Sequence, residues 1–392
     1  MLTSINIGTS GLVGFSKGLE TISQNVANLN TPGFKGSSSQ FNSLFSAGSE
    51  NGGASNGQQG AAGGSGMTAT ASVLNFGQGQ LNQTGKDLDV AIDGNGFFVL
   101  KDGDGNTSYT RDGRFSFNEE GILVSAKGEH VQALDAEGKL KDITLEGVRS
   151  NPASASATIK LNGTLSTADT TKVVSAINVT DSAGGTHALS VEFKNNTAVT
   201  AGSWLVTVKD GSTVVGTGEI KYANGFLDAA TANISVNYAP AGVAAMPLTI
   251  TVDASSTSAA SGASSMALAS VDGYGIGAMT KTAFDETGTL VVSYSNNQTS
   301  KKQTLALANF PTTATLHENG KGAFTSTTPN DVVLGVAKGS ADKITGGSLE
   351  GSNVDLSKEF SAIIVTQRGY QAASELISTA NQMLETLMRM KG

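Results

Sequence analysis

The chain holds 392 residues, 49 of them glycine, with 15% charged residues and a formal net charge of -8. That length accommodates two or three domains with cores of their own, and the glycine-rich, charge-poor mixture suits β domains joined by many tight turns. The acidic balance leaves no basic footprint for nucleic acid or an anionic membrane surface, and the lack of cysteine excludes disulfides, thiolate metal sites and cysteine nucleophiles.

The opening "MLTSINIGTSGLVG" has no basic region ahead of an apolar run, so an ordinary cleavable secretory signal is not expected. No run of about eighteen apolar residues exists, so no membrane partner is expected either. Leu12, Phe15, Leu19, Ile22, Val26 and Leu29 recur with alternating steps of three and four, the spacing of a heptad stripe on a helix. The back of that helix is Ser, Thr, Asn, Gln and Gly, with only Lys17 and Glu20 charged. A helix backed by water usually carries more charge, so this face suits packing against further copies. Such ends would order fully on assembly. The pattern then runs into Asn28, Asn30, Pro32 and Gly33. The Pro32 ring is expected to stop the helix and Gly33 to allow the sharp turn. Residues 46–66, "SAGSENGGASNGQQGAAGGSG", read as a low-complexity linker.

Beyond the linker the period changes to two. Leu88, Val90 and Ile92 alternate before a turn at Asp93–Gly96, and "FFVL" follows as a buried strand. "RFSFNEEGILV" reads as a hairpin, with Phe115 and Phe117 on one arm, a turn closing at Gly121, and Ile122 and Val124 on the other. Between the small-residue tracts "NPASASA" and "ASSTSAASGASS" come the short alternating strands "VVSAINVTD", "HALSVEFK", "SWLVTVKDG", "EIKYANG" and "PLTITVD". "GTLVVSYSNNQTSKKQTLALANF" gives a further hairpin in which Leu305 and Leu307 alternate. The last segment repeats the helical stripe with Ala373, Leu376, Ala380, Met383, Leu387 and Met390, widened by Ile377 and Leu384, and Asp355 or Ser357 is placed to cap it. Matching stripes at both ends predict that the termini pair and that the β domains are nested between them.

No motif carries catalysis. Gly14–Gly18 matches G-x-S-x-G, but inside a helix rather than at a strand-to-helix elbow. "DGDGNTSYTRDG" begins like a calcium loop at Asp102, yet Thr107 stands where that loop needs glycine and Gly113 where it needs glutamate. A hairpin turn explains it. His130, His187 and His317 lie far apart without metal-ligand spacing. Neither a cofactor nor a metal is expected.

"SQNVANLNTPGFKG", residues 23–36, resembles the N-terminal signature of the bacterial flagellar rod and hook proteins, and residues 349–390 resemble their C-terminal signature. "LDVAIDGNGFFVL" and "YTRDGRFSFNEEGILV" look like that family's shared β domain, and 288–310 is similar to a stretch typical of its hook branch. The resemblance covers a third to two-fifths of the chain and is weak over 36–70 and 150–280. It implies that paired terminal helices pack with other subunits around a channel, and that the segment after the first helix contacts neighbours. By position, Asn25, Asn28, Pro32, Gly33 and Phe34 match the N-terminal motif. Ser352, Asn353, Val354 and Asp355 match the turn into the last helix, which then carries Gln367, Arg368 and Tyr370.

The expected fold class is mainly β with paired N- and C-terminal helices and nested, discontinuous domains. A helical coiled-coil domain takes 1–30 and 355–392, a linker 31–70, an inner β domain 71–150 and 280–354, and an outer β domain 151–279. The function implied is a structural, non-enzymatic subunit of the flagellar hook, a self-polymer forming a curved torque-transmitting tube. Distal rod, hook cap, junction and length-control proteins are its implied partners. Export through the flagellar type III apparatus to an extracellular position is implied with it. A shorter, straight distal rod protein is the nearest alternative, although about 130 residues of β pattern between 150 and 280 exceed what a rod protein carries. A secreted β-rich adhesin is the alternative from another class.

Overall fold

The computed structural model describes residues 2–45, 64–69, 72–240, 242, 246–253, 258–259, 262–319, 322–328, 331–337 and 342–391. The chain is mainly β, with an α-helix near each end: α1 spans Leu2–Ala27 and α2 spans Leu356–Lys391. It divides into two compact units. One comprises Met1–Leu145, Thr282–Val291 and Lys301–Gly392, the other Glu146–Lys281 and Val292–Ser300.

In the first unit, α2 starts where Asp355 caps it, its Oδ1 accepting from the Ser357 amide at 2.9 Å and the Lys358 amide at 3.3 Å. Of the two expected caps, Asp355 performs the role and Ser357 lies inside the helix. α1 ends at Ala27, well before Pro32. The residue that ends it is Asn28. Its Nδ2 donates to the Gln24 carbonyl at 2.9 Å and its Oδ1 accepts from the Thr31 hydroxyl at 3.1 Å, a local alternative to the next helical turn. Strands Phe41–Phe45 and Gly64–Ala69 then pair antiparallel. The low-complexity reading of 46–66 is therefore too long at its end: residues 64–66 belong to a strand, while 46–63 lie outside the described residues. This ribbon is held because Phe41 and Met67 reach α1, with Phe15 and Phe41 ring centroids 5.8 Å apart and the Met67 amide donating to Ser10 Oγ.

The largest sheet of this unit centres on Phe97–Lys101, flanked by Thr107–Thr110 and His130–Leu134. Phe97 through Leu100 are all buried, as a strand covered on both faces must be. On one face Phe97, Phe76, Phe310, Phe324 and Tyr109 meet edge to face with centroids 4.9–5.8 Å apart. The strand Val90–Asp93 differs from the expected alternation. Val90, Ala91 and Ile92 are all buried, with Lys343–Gly346 paired antiparallel beside them. The hairpin over 115–125 forms with Gly121 at φ 82, but Leu123 rather than Ile122 or Val124 is its fully buried residue. Leu305 and Leu307 are buried together with Ala306 and Ala308, again without alternation.

The second unit is a two-sheet sandwich. Strands Thr171–Thr180, Thr186–Asn195, Ser203–Asp210 and Thr213–Ala223 form an antiparallel meander, closed by Phe226–Leu227. Asn233–Tyr238, Met246–Val252, Thr158–Asn162 and Ala267–Val271 form the opposing sheet, whose Thr158–Asn162 and Met246–Val252 run parallel. Alternate residues of both sheets fill the core around Trp204, Phe193, Ile220 and Ile250. Gly216 and Gly218 sit where the second sheet presses closest: a Cβ on either would lie 2.5 Å from Val236 or Ile234. Gly218→Val should overpack this core by about 1–3 kcal/mol. Trp204 is the only tryptophan, so its fluorescence reports on this sandwich. Its red shift should come at lower denaturant in the variant than in the parent.

Candidate assembly interface

The two terminal helices pair antiparallel. Gly8 lies against Ala373 and Ile377, Gly11 against Ala373, Phe15 against Gly369 and Gly18 against Thr366. At the far end Asn25 Nδ2 donates to Glu359 Oε1 at 3.0 Å. The contact is made by small residues at close range: a Cβ on Gly8 would lie 2.6 Å from Ile377 Cγ1, and one on Gly369 would lie 2.5 Å from the Phe15 ring. This corrects the heptad expectation. Among its N-terminal members Ile22 alone is buried; Leu12, Phe15, Leu19 and Val26 are half-buried along the flanks, and Leu29 lies in the turn after α1. On α2, Ala373 and Ala380 face inward with Ile377 and Leu384 half-buried beside them. Leu376, Met383, Leu387 and Met390 are 50–84% exposed, Leu387 continuing the row of Ala373 and Ala380. One expected stripe is therefore two. The physical reason is that glycine and alanine let the backbones approach, which moves larger side chains to the flanks. The signal was present in the spacing of Gly8, Gly11, Gly14 and Gly18.

Both helices enter the β strands of this unit through a knot of buried polar groups. Asn25, 2% exposed, mimics a strand edge: its Nδ2 donates to the Ser37 carbonyl at 2.7 Å and its Oδ1 accepts from the Ser37 amide at 3.0 Å. Asn353 does the same from the other end of the chain, accepting from the Gly36 amide and donating to the carbonyls of Asn75 and Gly77. Gly33 has φ 71, and a Cβ there would lie 2.5 Å from the Asp112 amide nitrogen, so no other residue fits. Its own amide donates to the Glu350 carbonyl at 2.8 Å. Pro32 and Phe34 are half-buried on either side.

At the centre lies Glu350, fully buried. Its Oε1 accepts from Lys35 Nζ at 2.7 Å and from the Gly79 amide at 2.7 Å, and its Oε2 accepts from an Arg111 guanidinium nitrogen at 3.1 Å. Lys35 also donates to the Gly77 carbonyl and Arg111 to the Gly94 carbonyl, while the guanidinium stacks 4.9 Å from the Phe97 ring centroid. Burial pushes both the Lys35 ammonium and the Arg111 guanidinium below their ordinary values, with Glu350 acting in the opposite direction. None of the three was singled out by sequence patterning, although each stands inside a recognised motif. The available signal was a charge set among Gly, Ser and Asn in a charge-poor chain. Gln367, Arg368 and Tyr370 stay apart from this knot, exposed on α2.

Among the described residues no cluster of three or more His, Asp or Glu is placed to hold a metal ion, and no helix is long and apolar enough to cross a membrane. Asp102 accepts from the amides of Asp104 and Asn106, and Gly105 has φ 89, so the calcium-like segment is a hairpin turn. His130 and His187 each pair with an aspartate of their own unit, Asp142 and Asp181.

Residues 5–35 match the family described as flagella basal body rod protein, 91–167 the flagellar hook protein FlgE/F/G D1 domain, and 345–390 the flagellar basal body rod FlgEFG protein C-terminal. The flagellar hook protein FlgE of Salmonella typhimurium strain LT2 is 31% identical over 99% of this chain and 100% of its own. That of Escherichia coli K12 is 32% identical over 97% of this chain and 98% of its own. The Helicobacter pylori hook protein FlgE2 crystal structure aligns over 67% of this chain and 98% of that one, with a TM-score of 0.49 and 12% identity. This chain belongs to the flagellar hook protein FlgE family, and it is a structural component of the flagellum.

Removing the buried counter-charge should be costly. Glu350→Ala leaves Lys35 and Arg111 buried and unpaired, which should destabilise this unit by about 3–5 kcal/mol. Adding Lys35→Met should restore part of that loss in denaturant titrations followed by circular dichroism.

Proposed function

We propose that the chain polymerises with itself into a curved, flexible tube that carries motor torque from rod to filament. The observation that carries this is the second stripe of α2. Leu376, Met383 and Met390 repeat at seven-residue intervals, each more than half exposed in the subunit. An exposed heptad row beside a complete helix pair calls for another helix, and further copies of the same chain supply it. Where the receiving surface is another part of the chain, such contacts run head to tail and generate a helical polymer rather than a closed dimer.

The β surfaces suit a tube that bends. Exposed apolar residues of the second unit, such as Val173, Leu205 and Val214, are scattered along strands that also carry charge. Neighbours could exchange such contacts at low cost as the tube turns, whereas a large apolar interface would lock. Export through the flagellar type III apparatus to the cell exterior belongs to this reading. So do contacts with the distal rod, cap, junction and length-control proteins.

Negative-stain electron microscopy of the full chain under salting-out conditions tests it. Curved tubes are expected. Straight tubes would favour a rod protein, and dispersed monomers would refute self-assembly. The double variant Leu376→Glu/Met383→Glu should give no tubes while keeping the parent helix content, because both side chains are more than half exposed in the subunit.

A further inference from the structure

Beside the exit from α1 lies a cavity of about 80 Å³, walled by Pro32, Phe34 and Leu100 and bearing Thr110, Ser125 and Glu129. Glu129 is only 9% exposed. Its carboxylate accepts two long hydroxyl bonds, from Ser108 at 3.3 Å and Ser125 at 3.4 Å, and among the described residues no cation lies within ion-pair distance of it. A buried carboxylate without a cation is expensive, and two weak hydroxyl donors leave most of its acceptor positions open. The two cations on the rim are directed elsewhere. Arg114 is held by both oxygens of Asp112, at 2.6–3.1 Å, and the Lys127 ammonium lies over Gly322. The volume exceeds what one water needs and suits the tip of a basic side chain.

A matching surface exists on the same molecule. Phe360, Ile364 and Arg368 stand four residues apart on α2, so they form one row, and this row lies neither on the face that meets α1 nor on the Leu376 stripe. Phe360 is 54% and Ile364 56% exposed, and Arg368 makes no ion pair among the described residues. Two apolar side chains ending in a guanidinium mirror a cavity with an apolar wall ending in a carboxylate. We propose that Arg368 of a second copy enters this cavity and pairs with Glu129, with Phe360 and Ile364 packing over Pro32 and Phe34. Each copy then donates one surface and receives on another, which makes the contact head to tail and repeatable. Arg suits the role because its planar fork matches a carboxylate and is weakly hydrated.

The proposal rests on self-assembly, so the test begins with tubes of the full chain. The chain has no cysteine, which makes cysteine pairing clean. Lys127→Cys on the cavity rim and Gln371→Cys, one turn beyond Arg368, leave Glu129 and Arg368 in place. Tubes of the double variant treated with a short bismaleimide should give a ladder of covalent multimers in denaturing gels, and each single variant should give dimers at most. Good tubes without a ladder would overturn the contact while leaving self-assembly standing; absence of tubes from the parent would remove both. Separately, Glu129→Gln should raise the concentration needed for tube growth at least tenfold while the subunit melts no lower than the parent. Unaltered growth would overturn the role of the carboxylate. Glu129→Arg and Arg368→Glu should each block growth, and combining them should restore it. A combination no better than either single variant would remove Arg368 as the donor.

Discussion

Both ends of the chain are fastened at one carboxylate. Glu350 receives Lys35 from the segment leaving α1, the Gly79 amide from the segment leading into the β strands, and Arg111 from the sheet, five residues before α2 is capped by Asp355. A charge with no water around it is held only if its partners are fixed. The exit of α1 and the entry of α2 are thereby fixed to the same strands. Asn25 and Asn353 extend the arrangement by supplying, from side chains, the backbone partners that Ser37, Gly36, Asn75 and Gly77 would otherwise lack. The signature residues around Pro32 and Gly33 thus have a mechanical meaning. They let the chain turn tightly enough to place Lys35 beside Glu350.

With the ends anchored, the helix pair can be thin. Gly8, Gly11 and Gly18 meet Thr366, Ala373 and Ile377 so closely that few large side chains are consumed by the intramolecular contact. The apolar residues spared in this way remain on the outside of α2, where a monomer gains nothing from them. A helix pair built from leucines would be more stable alone and would have less to offer a neighbour. Stability of the subunit and capacity for assembly therefore draw on the same side chains, and the small residues of α1 shift the balance toward assembly.

Much of this was legible in the sequence. Heptad spacing located both helices, alternation located the strands of the second unit, and the punctuation at Gly121 and Asp102–Gly105 located two hairpin turns of the first. What was not legible has identifiable causes. Periodicity finds apolar rows but not which row meets which, so Leu376 and Ala373 were placed on one face although they belong to two. Around Val90–Asp93 the alternation of Leu88, Val90 and Ile92 misleads, because Asp89 and Ala91 are buried with them. Glu350 stands 315 residues from Lys35 and 239 from Arg111, and only folding brings them into contact. Pro32 was credited with a stop that Asn28 performs, because proline is the louder local signal.

On this reading the Leu376 stripe of α2 is bare in the subunit and covered in the polymer. Hydrogen–deuterium exchange of the full chain, compared between monomer and tube, measures this directly. Amides from Leu376 to Met390 should exchange rapidly in the monomer, where α1 supports one face only, and become strongly protected in tubes. Equal protection in both states would contradict the account, since it would mean that the stripe finds its partner within a single chain.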